Sequence, residues 1–185
     1  MTTDTLKKIK KNKLSTLSGF TLVETLVALS ILLIAVVAPI SRIEDSLHKM
    51  YYVRDEAVAV NLAQEGIDIV RQIRDTNMIN NVSWTQNLAD GTYTVDIYKF
   101  ITTPASPSGY LIPCAGCDQK VYLDSSASLY RQGAGTTATQ FSRNIIISSA
   151  GLQPYERMLT STVSWKTGGT NGSIVIKEYL YDWAQ

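Results

Sequence analysis

The distribution of apolar residues divides the chain into three parts with different periods. The first part, residues 20–40, holds 21 residues, and Glu24 is the only charged residue among them. As a helix, this length spans about 30 Å, which matches the hydrocarbon core of a bilayer. Pro39 lies near the end of this part, where it removes a backbone donor and is expected to kink the helix. The pattern therefore predicts a helix that can cross a membrane.

The second part continues the helix with an amphipathic pattern. Apolar residues recur at intervals of four and seven, and charged or amide side chains lie between them. A cluster of Asn77, Asn80 and Asn81 is typical of a helix end. The whole helix is expected to run for about 55–60 residues, or about 85–90 Å. The apolar stripe, chiefly its later part, is predicted to pack against a sheet and consists of Ile43, Leu47, Tyr51, Val58, Leu62, Ile69 and Ile73.

Beyond Asn81 the period changes to two, which is typical of β-strands. Residues 92–100 follow the turn pair Asp90-Gly91, and their side chains fall into two alternating sets, as in a strand. Residues 82–86 are a candidate partner strand. A glycine-rich hairpin connection is predicted at residues 167–172. The further predicted strands are residues 121–123, 129–131, 141–148, 159–166 and 173–181. A long helix followed by strands predicts an α+β fold, with the helix packed against an antiparallel sheet.

The segment before residue 20 is polar and basic. Residues 1–19 contain five lysines and a single acidic residue, Asp4, and the remainder of the chain carries a net charge of −3. An ordinary secretory signal places its apolar stretch before the cleavage site, whereas here the apolar stretch follows the basic segment. Lysines on this side predict that the N-terminus stays in the cytoplasm. Charge and hydropathy alone are equally compatible with an uncleaved signal anchor.

A charged Glu24 side chain is energetically unfavourable in a membrane helix. An acidic side chain at the centre of such a helix costs about 2.5–3.5 kcal/mol on insertion scales. A carboxylate in the first turn is stabilised by the helix dipole and by interfacial water, and a cation from a neighbouring chain would stabilise it further. The two arrangements are compatible, one before and one after assembly.

The order of these features resembles the type IV pilin class, which includes the pseudopilins of type II secretion. The resemblance rests on the lysine-rich leader, on Gly19 and on the sequence Phe20-Thr21-Leu22-Val23-Glu24, and the match in motif covers about residues 7–40. Residues 92–100, 143–147 and 163–165 look most like PilV-type minor pilins. The resemblance implies a type IV pilin-like fold with a leader at 1–19, a membrane-spanning and assembly half-helix at 20–40, an amphipathic half-helix at 41–81 and a β-rich head at 82–185.

The resemblance also implies roles for individual residues. A prepilin peptidase is expected to cleave between Gly19 and Phe20 and to methylate the new amino group of Phe20. Glu24, the fifth residue after the cut, is expected to pair with the terminal amine of a neighbouring subunit and to set the register between subunits. Pro39 lies slightly earlier than the helix proline typical of the class, so its kink is expected at a different register.

Cys114 and Cys117 are the only cysteines, and they form a C-x-x-C pair in the part expected outside the cytoplasm. A zinc site needs four ligands, and the single histidine, His48, lies far away on the long helix. A thioredoxin-like redox pair normally opens a helix in a βαβ unit, whereas this pair follows Pro113 in a loop. An even cysteine count in an exported domain predicts a loop disulfide, which would stiffen only its own turn.

Catalysis and nucleic-acid binding find little support in the sequence. No nucleophile–base arrangement, phosphate-binding loop or metal triad is recognisable, so no enzyme, cofactor or metal site is predicted. Nucleic-acid binding is not expected, because the basic residues of the head are dispersed in sequence: Lys99, Lys120, Arg131, Arg143, Arg157, Lys166 and Lys177.

The resemblance therefore implies a structural subunit, a minor pilin of a type IV pilus-like fibre. Its expected partners are other pilin subunits through their N-terminal helices, the prepilin peptidase and the inner-membrane assembly machinery. The precursor is expected to lie in the cytoplasmic membrane with its head outside the cytoplasm, and the mature subunit in a surface pilus or periplasmic pseudopilus. The alternatives are a pseudopilin of a type II secretion or DNA-uptake system, and an unprocessed, signal-anchored extracellular binding domain.

Overall fold

The computed structural model describes residues 19–102, 109–132 and 137–182. The chain divides into two compact units, with the boundary between Asp45 and Ser46. The fold is α+β, as predicted, with one long helix and a seven-stranded antiparallel sheet. The helices and strands are α1 (Leu22–Ile79), β1 (Gly91–Val95), α2 (Ile97–Thr102), β2 (Leu111–Pro113), β3 (Lys120–Asp124), β4 (Leu129–Gln132), β5 (Thr137–Ser148), β6 (Glu156–Thr167) and β7 (Thr170–Tyr181).

Helix α1 contains 58 residues and runs through Pro39 without interruption. Its end confirms the role predicted for the asparagine cluster. Asn81 adopts the left-handed conformation (φ 54°), and its N–H donates to the carbonyl of Met78 at 3.1 Å. The N–H of Val82 donates to the carbonyl of Asn77 at 3.0 Å. These two bonds form a Schellman motif, in which asparagine stands where glycine is more common.

The buried face of α1 only partly coincides with the predicted stripe. Leu62, Ile69 and Ile73 are buried, as expected for its later part, whereas Leu47 and Tyr51 are exposed. The centre of the buried face is formed by residues with no side-chain exposure that the stripe did not include: Ala59, Ala63, Ile67 and Val70. The alanines were missed because a methyl group contributes little to a hydrophobic pattern.

Gly66 lies on the same face, at a close approach between α1 and the sheet. A Cβ atom at this position would lie 2.5 Å from the Cδ1 atom of Ile145 and 3.2 Å from the Oγ atom of Ser161. Small residues at 59, 63 and 66 therefore let the helix approach strands β5 and β6 closely. The core filled by this approach includes Ile145, Leu159 and Leu180.

Strand β5 is the central strand of the sheet. It pairs with β6 along one edge, and with β3 and then β1 along the other. Strand β6 also pairs with β7 over twelve residue pairs, and the hairpin turns at Gly168-Gly169, inside the predicted connection. The five strands predicted at 121–123, 129–131, 141–148, 159–166 and 173–181 are confirmed, each with longer bounds.

The strand predicted at residues 92–100 is wrong beyond Val95. The chain enters helix α2 at Ile97, because the Asp96 side chain accepts a hydrogen bond from the backbone N–H of Tyr98 at 3.1 Å. This is the geometry of a helix N-cap, and it favours a helical turn over further strand pairing.

One other prediction for the head is wrong, and one strand was not predicted. The candidate strand at residues 82–86 is a turn, since the Asn77 amide donates to the carbonyls of Trp84 and Gln86. Strand β2 was not predicted, because its three residues are too few to establish a period.

Candidate functional site

The N-terminus of α1 carries the predicted cleavage and assembly motif. Thr21 precedes the first helical residue, Leu22, and its Oγ1 atom accepts a hydrogen bond from the backbone N–H of Glu24 at 3.2 Å. Thr21 is therefore the N-cap, and Glu24 occupies the third helical position. A threonine followed three residues later by a glutamate is the spacing of a capping box, a signal that the sequence analysis did not use.

The geometry gives Glu24 a defined local role before any partner is present. Its carboxylate lies in the first turn, where the helix dipole favours a negative charge. Glu24 is exposed, as are Gly19 and Phe20, and Phe20 is 79% exposed. Within residues 19–102, 109–132 and 137–182, no ion pair engages this carboxylate. The Gly19-Phe20 bond is thus accessible, and Glu24 is open to a cation from outside the chain.

The apolar part of α1 is exposed along its length. Large apolar side chains such as Ile31 and Ile34 have no cover. By length and composition this helix is sufficient to cross a membrane. Pro39 lies within α1 in the same exposed stretch. An exposed apolar surface of this size is typical of a surface that contacts lipid or another protein.

The cysteine pair forms the predicted disulfide, Cys114–Cys117, with the two Cα atoms 5.0 Å apart. Cys114 is buried, and its backbone N–H donates to the carbonyl of Thr92 at 2.8 Å, so this end of the loop is held to β1. Gly116, between the cysteines, has a φ of 78°, a conformation that favours glycine. The disulfide closes a turn of four residues and joins no distant elements.

A buried polar cluster around Arg143 was not predicted. The Arg143 side chain on β5 has no solvent exposure, and its Nη1 atom lies 2.7 Å from the Oε1 atom of Glu65 on α1. The same Nη1 atom donates to the carbonyl of Leu62 at 3.0 Å, and Nη2 donates to the carbonyl of Val95 at 3.3 Å. The guanidinium therefore joins α1, β1 and β5 at one point.

Gln132 on β4 completes this cluster. Its Oε1 atom accepts hydrogen bonds from the Nε atom of Arg143 at 2.9 Å and from the backbone N–H of Val95 at 3.1 Å. Its amide nitrogen donates to the carbonyls of Gln119 and Arg143, both at 2.8 Å. Buried polar groups must be hydrogen-bonded to be tolerated, and both side chains of this cluster meet that condition. The role of the cluster is structural.

A second buried charge, Asp55, fixes α1 to the hairpin of β6 and β7. Its Oδ2 atom accepts a hydrogen bond from the hydroxyl of Thr167 at 2.7 Å, and Oδ1 lies 3.0 Å from the Nη2 atom of Arg54. Burial alone would raise the pKa of Asp55, but the hydrogen bonds from Thr167 and Arg54 outweigh it, and the pKa lies below the ordinary value of 3.8.

We expect Asp55 to make the stability of the protein sensitive to acid. Its folded pKa is lowered, so its stabilisation is complete above pH 3.8 and is lost as the pH falls through the lower, folded value. The free energy of unfolding, followed by urea titration at a series of pH values, should therefore fall more steeply below about pH 4 in the wild type than in Asp55→Asn. Glu56→Gln, which removes an exposed carboxylate from the adjacent position, controls for the loss of one negative charge. Parallel curves for the wild type and Asp55→Asn would contradict this role.

Three arginines of the head are occupied within the part of the chain that the structure describes. Arg143 is buried, and Arg131 lies 3.1 Å from the carboxylate of Asp124. Arg157 lies 3.8 Å from the carboxylate of Asp90. Within the described residues, no group of three or more histidine, cysteine, aspartate or glutamate side chains is placed to hold a metal ion.

Fold and site together define an α+β protein with one helix long and apolar enough to cross a membrane. Comparison with profiles of known protein families, with curated protein sequences and with solved structures finds no match to the chain. Its functional assignment therefore depends on its own residues.

Proposed function

We propose that the chain is a minor pilin, a structural subunit of a type IV pilus-like fibre. In this proposal the precursor is inserted in the cytoplasmic membrane by residues 20–40, cleaved after Gly19, and assembled through α1. The new amino group of Phe20 is methylated. The head faces outward and carries whatever contact the fibre makes with its surroundings.

One observation carries the proposal: an exposed apolar helix, capped by Thr21, has in its first turn a carboxylate without an ion-pair partner among the described residues, and it begins directly after an accessible Gly-Phe bond. Thr21 places Glu24 in the first turn, five residues into the mature chain. Cleavage at Gly19 would create an ammonium group on Phe20. In a low-dielectric bundle of helices, this ammonium and the Glu24 carboxylate of a neighbour lower each other's cost of burial.

The remainder of α1 supports the proposal. The same helix carries an apolar, exposed N-terminal half and a later half whose inner face is covered by strands β5 and β6. An anchor alone needs only about 20 residues of apolar helix. A helix of 58 residues that also forms the core of a sheet domain suits a subunit that is inserted first and assembled afterwards.

The first test is the site of processing. We expect Gly19→Val to abolish cleavage and to leave the 19-residue leader attached, because the peptidase site is expected to admit little beyond hydrogen at that position. Mass spectrometry of the N-terminal peptide from membranes and from sheared surface material would detect the cut and the methyl group. The wild type should begin at N-methylated Phe20 in both fractions.

Gly169→Ala is the matched control, since a Cβ atom at position 169 meets no atom within 4 Å. It should be processed like the wild type. An intact leader in the wild type, or a cut at another bond, would overturn the pilin proposal in favour of a signal-anchored binding domain.

A further inference from the structure

A cavity of about 600 Å³, which we call the hairpin cavity, lies between α1 and the hairpin of strands β6 and β7. Its volume falls within the range of about 300–1,000 Å³ that is typical of small-molecule sites. The hairpin contributes Gly169 and its neighbours, and the cavity lies wholly within the unit that begins at Ser46. The residues of α1 that line it are His48, Lys49, Tyr52 and Val53. The proposed function assigns no role to any of them.

The walls of the hairpin cavity are held in place by contacts of their own. The Tyr52 ring packs against the buried ring of Trp165, with the two centroids 5.8 Å apart. The His48 imidazole lies against the hairpin turn, since a Cβ atom at Gly168 would lie 3.9 Å from its Nδ1 and Cε1 atoms. The Tyr52 ring and the Val53 side chain give the cavity an apolar wall, which favours a hydrocarbon occupant.

The side chains of the hairpin cavity that can carry a charge are His48 and Lys49. Both residues are exposed, and Lys49 has no ion-pair partner in the described part of the chain. An ammonium group supplies three donors, and an imidazole supplies at least one N–H donor in either protonation state. The charge and the donors of the cavity therefore suit an anion.

The acidic residues near the hairpin cavity only weaken this preference. The Asp55 carboxylate already accepts hydrogen bonds from two side chains. Glu44 and Asp45 lie one helical turn before the two basic residues, Glu56 lies two turns after Lys49, and none of the three lines the cavity. An exposed carboxylate four residues away changes an affinity by about a factor of two, whereas a lysine near an anionic lipid surface contributes about fivefold. The net preference remains for an anion.

We propose that the hairpin cavity binds one anionic phospholipid of the membrane. Its phosphate is bound by Lys49 and His48, and the first part of an acyl chain lies along Tyr52 and Val53. The proposal rests on the membrane insertion that the proposed function includes, because Lys49 then follows the membrane segment, residues 20–40, by only nine residues. Side chains of a helix tilt towards its N-terminus, so the lysine stem reaches back towards the lipid phosphates.

The residues around the cavity favour a lipid over a protein partner. Tyr51 and Tyr52 follow Lys49 closely in the sequence, and tyrosine is enriched where membrane proteins meet the lipid headgroups. A cation beside an apolar cavity also matches the two parts of a phospholipid, a charged headgroup and a hydrocarbon chain. Both parts of the ligand are therefore recognised within one short stretch of α1 and one turn.

Native mass spectrometry of the full-length chain, purified in nonionic detergent, tests the charged part of the site. The wild type should retain one dioleoyl phosphatidylglycerol per chain and about fivefold less dioleoyl phosphatidylcholine, whose headgroup has no net charge. Lys49→Met should retain about fivefold less phosphatidylglycerol, and Lys49→Arg should retain it like the wild type. Lys177→Met, which removes an exposed lysine of β7 that does not line the cavity, is the matched control.

Gly169→Phe tests the apolar part of the site. A Cβ atom at this position meets no atom within 4 Å, so a ring has room there, and it should remove most of the retained phosphatidylglycerol while Lys49 is unchanged. Gly169→Ala is its control, and thermal unfolding of each variant establishes that it is folded.

Equal retention of the two lipids by the wild type, or full retention of phosphatidylglycerol by Lys49→Met, would overturn the inference and leave the proposed function standing. Full retention by folded Gly169→Phe would overturn the hairpin cavity as the site. An intact leader in the wild type, read separately from the N-terminal peptide, would overturn the proposed function instead, because lipid binding does not require cleavage.

Discussion

Replacing Arg143 with methionine is expected to lower the free energy of unfolding by about 3–5 kcal/mol, the range measured when one partner of a buried ion pair is removed. Methionine fills part of the volume but cannot donate to Glu65 or to the Oε1 atom of Gln132, which Arg143 now reaches at 2.7 and 2.9 Å. The carbonyls of Leu62 and Val95 lose their side-chain donor as well. Each acceptor left without a partner adds to the cost.

Thermal unfolding of the full chain in detergent, followed by tryptophan fluorescence, would measure this loss as a fall of about 10–20 °C in Tm. Arg143→Lys should lose a smaller part of the stability, because an ammonium keeps the charge but cannot reach four acceptors in different directions. Lys166→Met removes an exposed basic residue from the neighbouring strand β6 and is the control. A fall of less than about 1 kcal/mol for Arg143→Met would show that water or rearrangement satisfies the cluster.

Replacing Glu24 with glutamine is expected to leave cleavage intact and to remove the subunit from fibres. Glutamine keeps the size and the first-turn position, so the peptidase still meets the same segment. It removes the negative charge that the proposed partner ammonium requires, and an uncompensated buried charge costs several kcal/mol. Incorporation should therefore fall by about a hundredfold or more, since about 1.4 kcal/mol corresponds to a factor of ten.

The measurement is the ratio of processed chain in sheared surface fibres to processed chain in membranes. Glu44→Gln, which neutralises an exposed carboxylate on the same helix, is the control and should assemble normally. Equal incorporation of Glu24→Gln and the wild type would remove Glu24 from the assembly mechanism and leave only its local role, in which Thr21 caps the helix at its backbone N–H.

Much of the fold was predictable because its signals are local. The helix and five of the strands follow from hydrophobic periods that a short window of residues contains, and the asparagine cluster predicted where α1 ends. Some of the wrong or missed predictions also have local causes. Asp96 ends a strand pattern by capping α2, and the methyl groups of Ala59 and Ala63 are too small to mark the centre of a buried face.

The residues of the candidate site also differ in whether the sequence alone could predict them. The segment from Gly19 to Glu24 is contiguous, so sequence alone was enough to propose it, and the Cys114–Cys117 pair needs only a four-residue turn. The Arg143 cluster could not be predicted, because its partner Glu65 lies 78 residues away and Gln132 carries no signal of burial. In the sequence, Arg143 is one of several dispersed basic residues, and only the folded chain distinguishes it from the exposed ones.

The separation of Glu65 and Arg143 also affects how the chain matures during synthesis. The helix emerges from the ribosome long before β5. Its small-residue face and the Glu65 carboxylate therefore remain exposed while the 78 residues up to Arg143 are made. A chain that stops before Arg143 retains an apolar helix surface and an unpaired carboxylate, which are features that proteases and chaperones act on in incomplete domains. Completion of β5 supplies the partner of Glu65, and the apolar face of α1 is covered once β6 and β7, which carry Leu159 and Leu180, have also been made.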